Sequence, residues 1–342
     1  MRRWTSTSAS RPRSPGRSCR PISWSRAIGL AALAVALSAC GAGGRGGGTT
    51  TAAPSAPVPR APAPIVRDPV NAGRPPLTVG ALNFPEQALL GRLYAGVLRA
   101  AGYRVRVRLD LGSDQAALHA MRRGRIDAFP EYLGTGLGTL FHRRVPRRRG
   151  PAYAAVRAAF ARVGMTALPP TPFEDSAGFA VRRATARRLG GTALSDLAGR
   201  AGRLTLAGPR GCARRLDCAA GLRRFYGLRF RRVLEVPLAR RAAVLRDRRA
   251  HVSAVFTTDG ALAKGDLVLL RDDRDALAPY HVTLVVRDRA LADAGDGLRT
   301  AVGRLQATLT TAVMQRLNAR MDRGAGAARV AARHLRDSGL VD

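Results

Sequence analysis

Residues 77–91 read LTVGALNFPEQALLG, and residues 124–138 read GRIDAFPEYLGTGLG. In each block an apolar, strand-like run ends in polar residues at a turn, and helix-forming or glycine-rich sequence follows. In α/β proteins, ligands bind beyond the carboxyl ends of the strands and close to helix N-termini. Both blocks are therefore candidate ligand-binding segments.

The first block opens a regular alternation of strand and helix patterns. The sequence predicts a strand at 77–82, a helix at 86–101, a strand at 103–109 and a helix at 113–123. Further strands are predicted at 178–182, 203–207, 233–236, 252–256, 267–270 and 282–287, and further helices at 152–163, 219–226, 239–248, 297–317 and 325–337. Alternating units of this kind predict an α/β fold with an open, largely parallel sheet.

The N-terminal region has the pattern of an export signal. Residues 1–26 contain no acid, and the apolar run Ala27–Leu37 is shorter than the roughly 20 residues that span a bilayer. The run ends in LSACG, a lipobox-like pattern that predicts lipid modification of Cys40; the alternative is a chance cysteine after an ordinary signal peptide. We therefore expect a signal peptide at 1–39 and a lipid-anchored flexible tether at 40–76.

The formal charge of +35 raises the question of a nucleic-acid partner. Among the 58 basic residues, however, Lys264 is the only lysine, and the arginines are scattered along the chain. Phosphate binding gives no reason to exclude lysine, whereas a coding bias toward G and C does. The charge therefore predicts solvated arginine-rich faces, and we expect no nucleic-acid partner.

The two blocks also resemble a known family. NFPEQ at 83–87 and IDAFPEYLGT at 126–135 are similar to motifs of the substrate-binding proteins of bacterial ABC importers for glycine betaine, choline and related osmoprotectants. The resemblance covers roughly residues 77–342. It implies an extracytoplasmic, monomeric protein that is anchored to the outer face of the cell membrane and works with a membrane permease.

The same resemblance implies the fold: a two-lobed, periplasmic-binding-protein-like architecture with two open α/β sheets joined by a hinge. Lobe 1 would use residues 77–174 and 282–342, and lobe 2 would use residues 175–281. The chain would then cross twice between the lobes, and ligand would close the cleft between them.

The family's ligands carry a quaternary ammonium and usually a carboxylate. Aromatic faces hold such a cation with up to ~2 kcal/mol per desolvated ring, and arginine or hydroxyl groups hold the carboxylate. The tryptophans Trp4 and Trp24 both precede the predicted mature chain, so Tyr and Phe must supply any cage. The resemblance implies the ligand-binding residues Asn83, Gln87, Tyr132, Thr135, Arg215, Phe256 and Tyr280.

Two positions depart from the family pattern. Leu82 stands where much of the family has Lys or Gln, and Ala177 stands where it has a cage tyrosine. A three-sided cage beside Asp175 could still hold a cation, or the departures could mark a different substrate.

Cys19 lies in the predicted signal peptide, so Cys212 and Cys218 are the other cysteines of the predicted mature chain besides Cys40. They are an even pair in a chain expected outside the membrane, so we expect a disulfide. Such a bond would fix the loop that carries Arg215. A metal site with His251 or Asp217 is disfavoured because CxxC and HxxxH spacings are lacking. We expect neither a metal nor a cofactor.

Motifs of the common enzyme classes are missing from the sequence: it has no G-x-S-x-G elbow, P-loop or H-E-x-x-H. Glu86 and Glu131 could form a carboxylate pair, but Glu86 in a first helical turn is better explained by the helix dipole. The sequence predicts a substrate-binding component, without enzymatic activity, that captures a zwitterion or quaternary amine for an ABC importer. Two alternatives stay open: a surface-anchored enzyme on the same scaffold, and a basic envelope-binding protein with a vestigial cleft.

Overall fold

The computed structural model describes residues 63–341. The predicted signal peptide at 1–39 and the predicted lipidation site Cys40 lie outside the described residues, as does most of the predicted tether. Within 63–341, the structure contains no helix that is both long and apolar enough to cross a membrane.

Across residues 63–341 the chain forms two five-stranded sheets. The strands are β1 Leu77–Gly80, β2 Val105–Arg108, β3 Ala128–Tyr132, β4 Met165–Ala167, β5 Ala177–Arg182, β6 Thr205–Gly208, β7 Arg232–Glu235, β8 Val252–Phe256, β9 Leu267–Leu270 and β10 Val282–Arg287. The first sheet has the order β2-β1-β3-β10-β4 and the second has the order β7-β6-β8-β5-β9. Because β10 returns to the first sheet, the chain crosses between the sheets twice.

Both sheets are mixed, which differs from the largely parallel sheet that the alternation predicted. Strand β1 runs parallel to β2 and β3, but β10 runs antiparallel to β3 and β4. Likewise β6 runs parallel to β7 and β8, but β5 runs antiparallel to β8 and β9. Helical crossovers make neighbouring strands parallel. Strands β5 and β10 are the first after each crossing between sheets, so no such crossover fixes their direction.

Helices surround the sheets. They are α1 Val70–Gly73, α2 Pro85–Ala100, α3 Asp114–Arg122, α4 Leu133–Thr135, α5 Arg149–Ala161, α6 Arg183–Leu189, α7 Ala219–Tyr226, α8 Arg241–Arg246, α9 Asp288–Ala294, α10 Asp296–Thr308, α11 Thr311–Asp322 and α12 Ala327–Asp337, with a π-helical turn at Gly136–Leu140. Helices α6 to α8 pack on the second sheet and form lobe 2 with it; the others form lobe 1 with the first sheet.

The single helix predicted at 297–317 is in fact two helices, α10 and α11. The hydroxyl of Thr310 accepts a hydrogen bond from the Val313 amide (3.3 Å), which is an N-cap and requires non-helical backbone. Leu309, between the helices, is fully buried and anchors the break in the core of lobe 1.

The end of the predicted tether is packed against lobe 1 and is not free. The Ile65 amide donates to the Leu340 carbonyl (2.9 Å), and the buried Asn71 side chain donates to the Ala101 carbonyl at the end of α2 (2.7 Å). The packed part of the chain therefore begins near Ile65, earlier than the predicted boundary at residue 77.

The lobes meet where the chain crosses between them. Glu174 and His281, one on each crossing segment, pair in an isolated antiparallel bridge. On α11 of lobe 1, Gln315 donates to the Thr257 carbonyl of lobe 2 (2.8 Å). These contacts set the position of the cleft between the lobes.

Candidate functional site

A cavity of about 560 Å³ lies in the cleft between the two lobes. Its lining brings together five of the seven predicted ligand-binding residues, namely Tyr132, Thr135, Arg215, Phe256 and Tyr280. The other lining residues are Leu82, Phe84, Asp114, Val145, Arg147, Asp175, Ala177, Leu216, Asp217, Phe225, Ala276, Leu277 and Ala278. The walls are thus mostly apolar and aromatic, with a small number of charged groups.

Tyr132 is the last residue of β3, so the strand delivers its ring to the cleft at the carboxyl edge of the sheet. The side chain is buried, and its hydroxyl donates to Oε1 of Glu86 (2.8 Å). Phe84 lies nearly parallel to it, with ring centroids 6.3 Å apart and an interplanar angle of 23°. Packing and the hydrogen bond together fix the plane of this ring.

Glu86 lies in the first turn of α2, as predicted, but it is also a buried support for the site. Its second oxygen accepts from Nδ2 of Asn318 (2.7 Å), which also donates to the Thr258 carbonyl of lobe 2 (3.0 Å). Burial raises the pKa of Glu86, although hydrogen bonds from Asn318, Thr258 and Tyr132 oppose the rise. Burial, and then the charge of Glu86, raise the pKa of Tyr132 well above its usual value, so its hydroxyl remains a donor.

Tyr280 reaches the cleft because Gly134 has no side chain. A Cβ on Gly134 would lie 2.6 and 2.7 Å from Cε2 and Cε1 of the Tyr280 ring, much closer than van der Waals contact. The ring therefore packs directly on the backbone of α4, next to Thr135. The glycine of the PEYLGT block is required by this close approach.

The lobe 2 wall is built on a disulfide-closed loop. Cys212 and Cys218 are bonded, and both are buried, while Arg215 between them is exposed. Nε and Nη2 of Arg215 donate to the two carboxylate oxygens of Asp217 (2.8 and 2.5 Å). This pairing raises the pKa of Arg215 and directs its guanidinium along the cleft rim.

Phe256 ends β8 and is the aromatic residue that lobe 2 contributes at the carboxyl edge of its sheet. Its amide donates to Oδ2 of Asp259 (3.0 Å), which fixes the turn after the strand. The ring is 38% exposed, so it is available to a ligand.

Two predicted ligand-binding residues are not brought to the cleft. Asn83 is exposed outside the lining, and Gln87 is fully buried on α2. The Gln87 side chain donates to the Pro130 carbonyl (2.9 Å), so it holds the strand that carries Tyr132. Because Gln87 is fully buried, it cannot contact a ligand in the cleft; it contributes to the site by positioning β3.

Several lining residues were not predicted from the sequence. The Arg147 guanidinium of lobe 1 lies 3.9 Å from the ring centroid of Phe225 in lobe 2, so this pair spans the cleft. No local signal marks either residue. Phe84 could have been found, because Pro85 opens α2 and leaves Phe84 as an extended residue directly after the first strand.

The histidine that the sequence offered for a metal site makes a structural contact instead. Nδ1 of His251 accepts a hydrogen bond from the Thr205 amide (3.1 Å), next to two strands of the lobe 2 sheet. In the part of the chain that the structure describes, no group of three or more His, Cys, Asp or Glu side chains is arranged to hold a metal ion.

The fold is similar to that of solved binding proteins. A crystal structure titled as a glycine betaine/carnitine/choline ABC transporter superposes with a TM-score of 0.73 at 24% identity, covering 78% of this chain and all of that one. This likeness supports the two-lobed periplasmic-binding-protein fold.

Sequence relatives point to the same group. The chain is 30% identical over 278 residues to the glycine-betaine-binding protein of Pseudomonas aeruginosa, covering 78% of this chain and 89% of that protein. It is 24% identical over 250 residues to the carnitine transport binding protein OpuCC of Listeria monocytogenes, covering 72% and 81%. Residues 75–337 match the family described as the substrate binding domain of ABC-type glycine betaine transport systems. The chain belongs to this family of transporter substrate-binding domains.

Proposed function

We propose that this protein captures a small quaternary ammonium compound or zwitterion, such as glycine betaine, and delivers it to an ABC permease. The observation that carries the proposal is the group of aromatic rings in one interlobe cavity: Phe84, Tyr132, Phe256 and Tyr280. Each ring face can attract a methylated cation with up to ~2 kcal/mol once water is excluded.

The anionic end of a zwitterion would lie toward Thr135 and Arg215, as the resemblance suggests. Because Asp217 already holds Arg215 in a bidentate pair, a ligand carboxylate has to share the guanidinium or displace Asp217 from it. Arg147 supplies a second guanidinium to the same cavity.

The lobes would close around the ligand about the two crossing segments. We take lobe 1 as residues 77–174 and 282–342 and lobe 2 as residues 175–281, with the hinge beside the Glu174–His281 bridge. The closed form would be the form that docks on the permease, and no covalent bond of the ligand changes.

The protein would act as a monomer outside the cell membrane. The signal peptide at 1–39 would be removed, Cys40 would carry the lipid, and the tether would end near Ile65, where the packed part of lobe 1 begins. Mass spectrometry of the N-terminal peptide from the native membrane fraction tests the lipid on Cys40.

The ligand is tested by thermal shift of the purified protein with glycine betaine, proline betaine, choline, carnitine and amino acids. A ligand at 100 times its Kd should add ~2.7 kcal/mol of stability. Phe256→Ala and Arg215→Ala should reduce the shift, whereas Arg289→Ala, an exposed arginine on α9, should not.

The same samples decide against the enzyme alternative if the ligand is recovered unchanged after long incubation. A shift that is identical in parent, Phe256→Ala and Arg215→Ala would contradict the proposed site. No shift with any of these compounds would contradict the proposed ligand class.

A further inference from the structure

Acidic groups are concentrated in the cleft of a protein that is poor in acids. The sequence has 23 acidic residues against 58 basic ones, yet Asp114, Asp175 and Asp217 all line the same cavity. Asp217 is paired with Arg215, and Asp114 lies in the first turn of α3, where the helix dipole favours it. Asp175 has no comparable explanation.

The hydrogen bonds of Asp175 leave its charge uncompensated. The Thr258 hydroxyl donates to its Oδ1 (2.8 Å). Among the ion pairs of residues 63–341, Asp175 has none with an arginine, a lysine or a histidine. The carboxyl group is half-buried and borders the cavity beside Ala177, where the resemblance places the missing cage tyrosine.

The charged groups that raise the pKa of Asp175 from the surrounding elements are all acids. Glu86 acts from α2 in lobe 1, Asp259 from the turn after β8, and Glu174 from the adjacent position of the crossing segment. The positive charge of Arg241 lowers the pKa of Asp259. A cation that enters the cavity would therefore meet a cluster of acidic groups at this wall.

Tyr132 of lobe 1 lines the same cavity as Asp175. Its pKa is raised partly by the charge of Asp175, which places the tyrosine ring and the aspartate in each other's field. Because both side chains line one cavity, a methylated cation that contacts the Tyr132 ring shares that cavity with the Asp175 carboxyl group. The aromatic face and the acid can serve the same ligand group.

We propose that Asp175 is the counter-ion of the bound cation and that ligand capture releases its proton. The proton of the Asp175 carboxylic acid passes to solvent as the cation enters, and the carboxylate remains facing the ammonium group. The inference rests on the proposed function, since it requires a cationic ligand in this cavity. It makes Asp175 a residue that selects for positive charge.

The protonation state of Asp175 supports this exchange. Burial, and then the charge of Glu86, raise the pKa of Asp175 to about 8, so the acid form prevails at neutral pH. A positive charge within ~4–6 Å favours the ionised form and lowers a carboxyl pKa. Binding therefore moves the pKa downward through neutral pH, and one proton leaves.

Calorimetric titration of the purified protein with glycine betaine at pH 7 tests the inference. Repeating it in phosphate and Tris, buffers of different ionisation enthalpy, gives the number of protons released. We expect close to one proton in the parent, and a Kd that falls about tenfold per pH unit between pH 6 and 8 and levels off above. Asp175→Asn should release none, bind more weakly and have a flat pH profile.

Two controls isolate the charge. Asp247→Asn removes an equal charge from an exposed position of lobe 2 that lies outside the cavity lining, and it should keep the proton release. 3,3-Dimethylbutanoate, in which carbon replaces the quaternary nitrogen, should bind without releasing a proton.

The outcomes are distinguishable. Glycine betaine binding without proton release in the parent, or equal release from parent and Asp175→Asn, would overturn the role of Asp175 and leave the proposed function standing. Failure of glycine betaine and choline to bind at any pH from 6 to 9 would instead overturn the proposed function.

Discussion

The two walls of the cleft are built differently. In lobe 1, Tyr132 is 5% exposed, and Glu86 holds its hydroxyl from behind. In lobe 2, Phe256 is 38% exposed and Leu216 is 58% exposed, and Leu216 lies on the short loop closed by the disulfide. The Tyr132 ring is therefore buried without ligand, whereas Phe256 and Leu216 of lobe 2, like Phe84 of lobe 1 (37% exposed), present apolar surface that a ligand and closure of the lobes would cover.

This difference separates stability from affinity. Tyr132 of the lobe 1 wall belongs to the hydrophobic core, so its removal should cost folding free energy as well as binding. Phe256 and Leu216 of the lobe 2 wall are exposed and contribute little to folding stability in the unbound protein. Their removal should therefore change mainly the Kd. The predictions below test this division, from the largest effect to the smallest.

Tyr132→Ala should have the largest effect, because a buried aromatic ring is lost. We expect the free energy of unfolding to fall by about 3–5 kcal/mol, and glycine betaine binding to be lost. Phe256→Ala should leave stability within about 1 kcal/mol of the parent but weaken binding by up to ~2 kcal/mol. Urea unfolding and calorimetric titration of both variants give the comparison. Equal loss of stability in the two variants would contradict the division between the walls.

Removal of the disulfide should be the next largest effect. The ring from Cys212 to Cys218 is short, so loop-closure entropy predicts a loss of about 2–3 kcal/mol for Cys212→Ala with Cys218→Ala. Since the loop carries Arg215, affinity should fall as well. The parent in excess reductant is the control and should behave in the same way. Unchanged affinity in the variant would show that the loop needs no covalent closure to present Arg215.

Gly134→Ala should cost about 1–3 kcal/mol, because the new methyl group would overlap the Tyr280 ring. Gly138→Ala is the matched control: a Cβ there meets its nearest neighbour, Val145, at 3.8 Å, so stability should change by less than about 1 kcal/mol. Thermal unfolding and the Kd are measured for both. Combining Gly134→Ala with Tyr280→Ala should restore part of the lost stability, and strict additivity of the two changes would argue against the contact.

Tyr132 and Thr135, which the resemblance assigned to the ligand, reach the cavity through local geometry. A strand that ends at Tyr132 and runs directly into a helix leaves the tyrosine and Thr135 at the edge of the sheet. The resemblance also assigned Asn83 and Gln87 to the ligand. It failed for Gln87 because burial depends on what packs above α2, which no local pattern in the sequence reveals.

The lobe 2 wall was harder to predict because residues that contact each other there are far apart in the sequence. Arg147 and Phe225 are brought together from different lobes, and neither belongs to a recognisable motif. Arg215 was found through its cysteines and the resemblance, but its pairing with Asp217 was not. Ion pairs between exposed side chains depend on rotamers and carry no periodicity that a sequence could show.

The smallest predicted effect concerns pH and lies at the boundary between the walls. The pKa of Asp175 is raised to about 8 in the folded protein, against ~3.9 in an unfolded chain. A raised folded-state pKa gives stability that is complete below about pH 4 and is lost as the pH rises through about 8. Because an asparagine side chain cannot ionise, Asp175→Asn should gain roughly 1 kcal/mol relative to the parent between pH 7 and pH 9, after allowance for solvent screening.

Urea unfolding of both ligand-free proteins is carried out at pH 7 and pH 9, at equal salt. The gain is the variant-minus-parent difference in the free energy of unfolding at pH 9, less the same difference at pH 7. Changes in the repulsion among the many arginines are common to parent and variant and cancel in it. A difference that is the same at both pH values would mean that Asp175 is already ionised at pH 7. The lobe 2 side of the cleft would then carry a fixed negative charge before ligand binds, and the difference between Tyr132 and Phe256 would be one of packing alone.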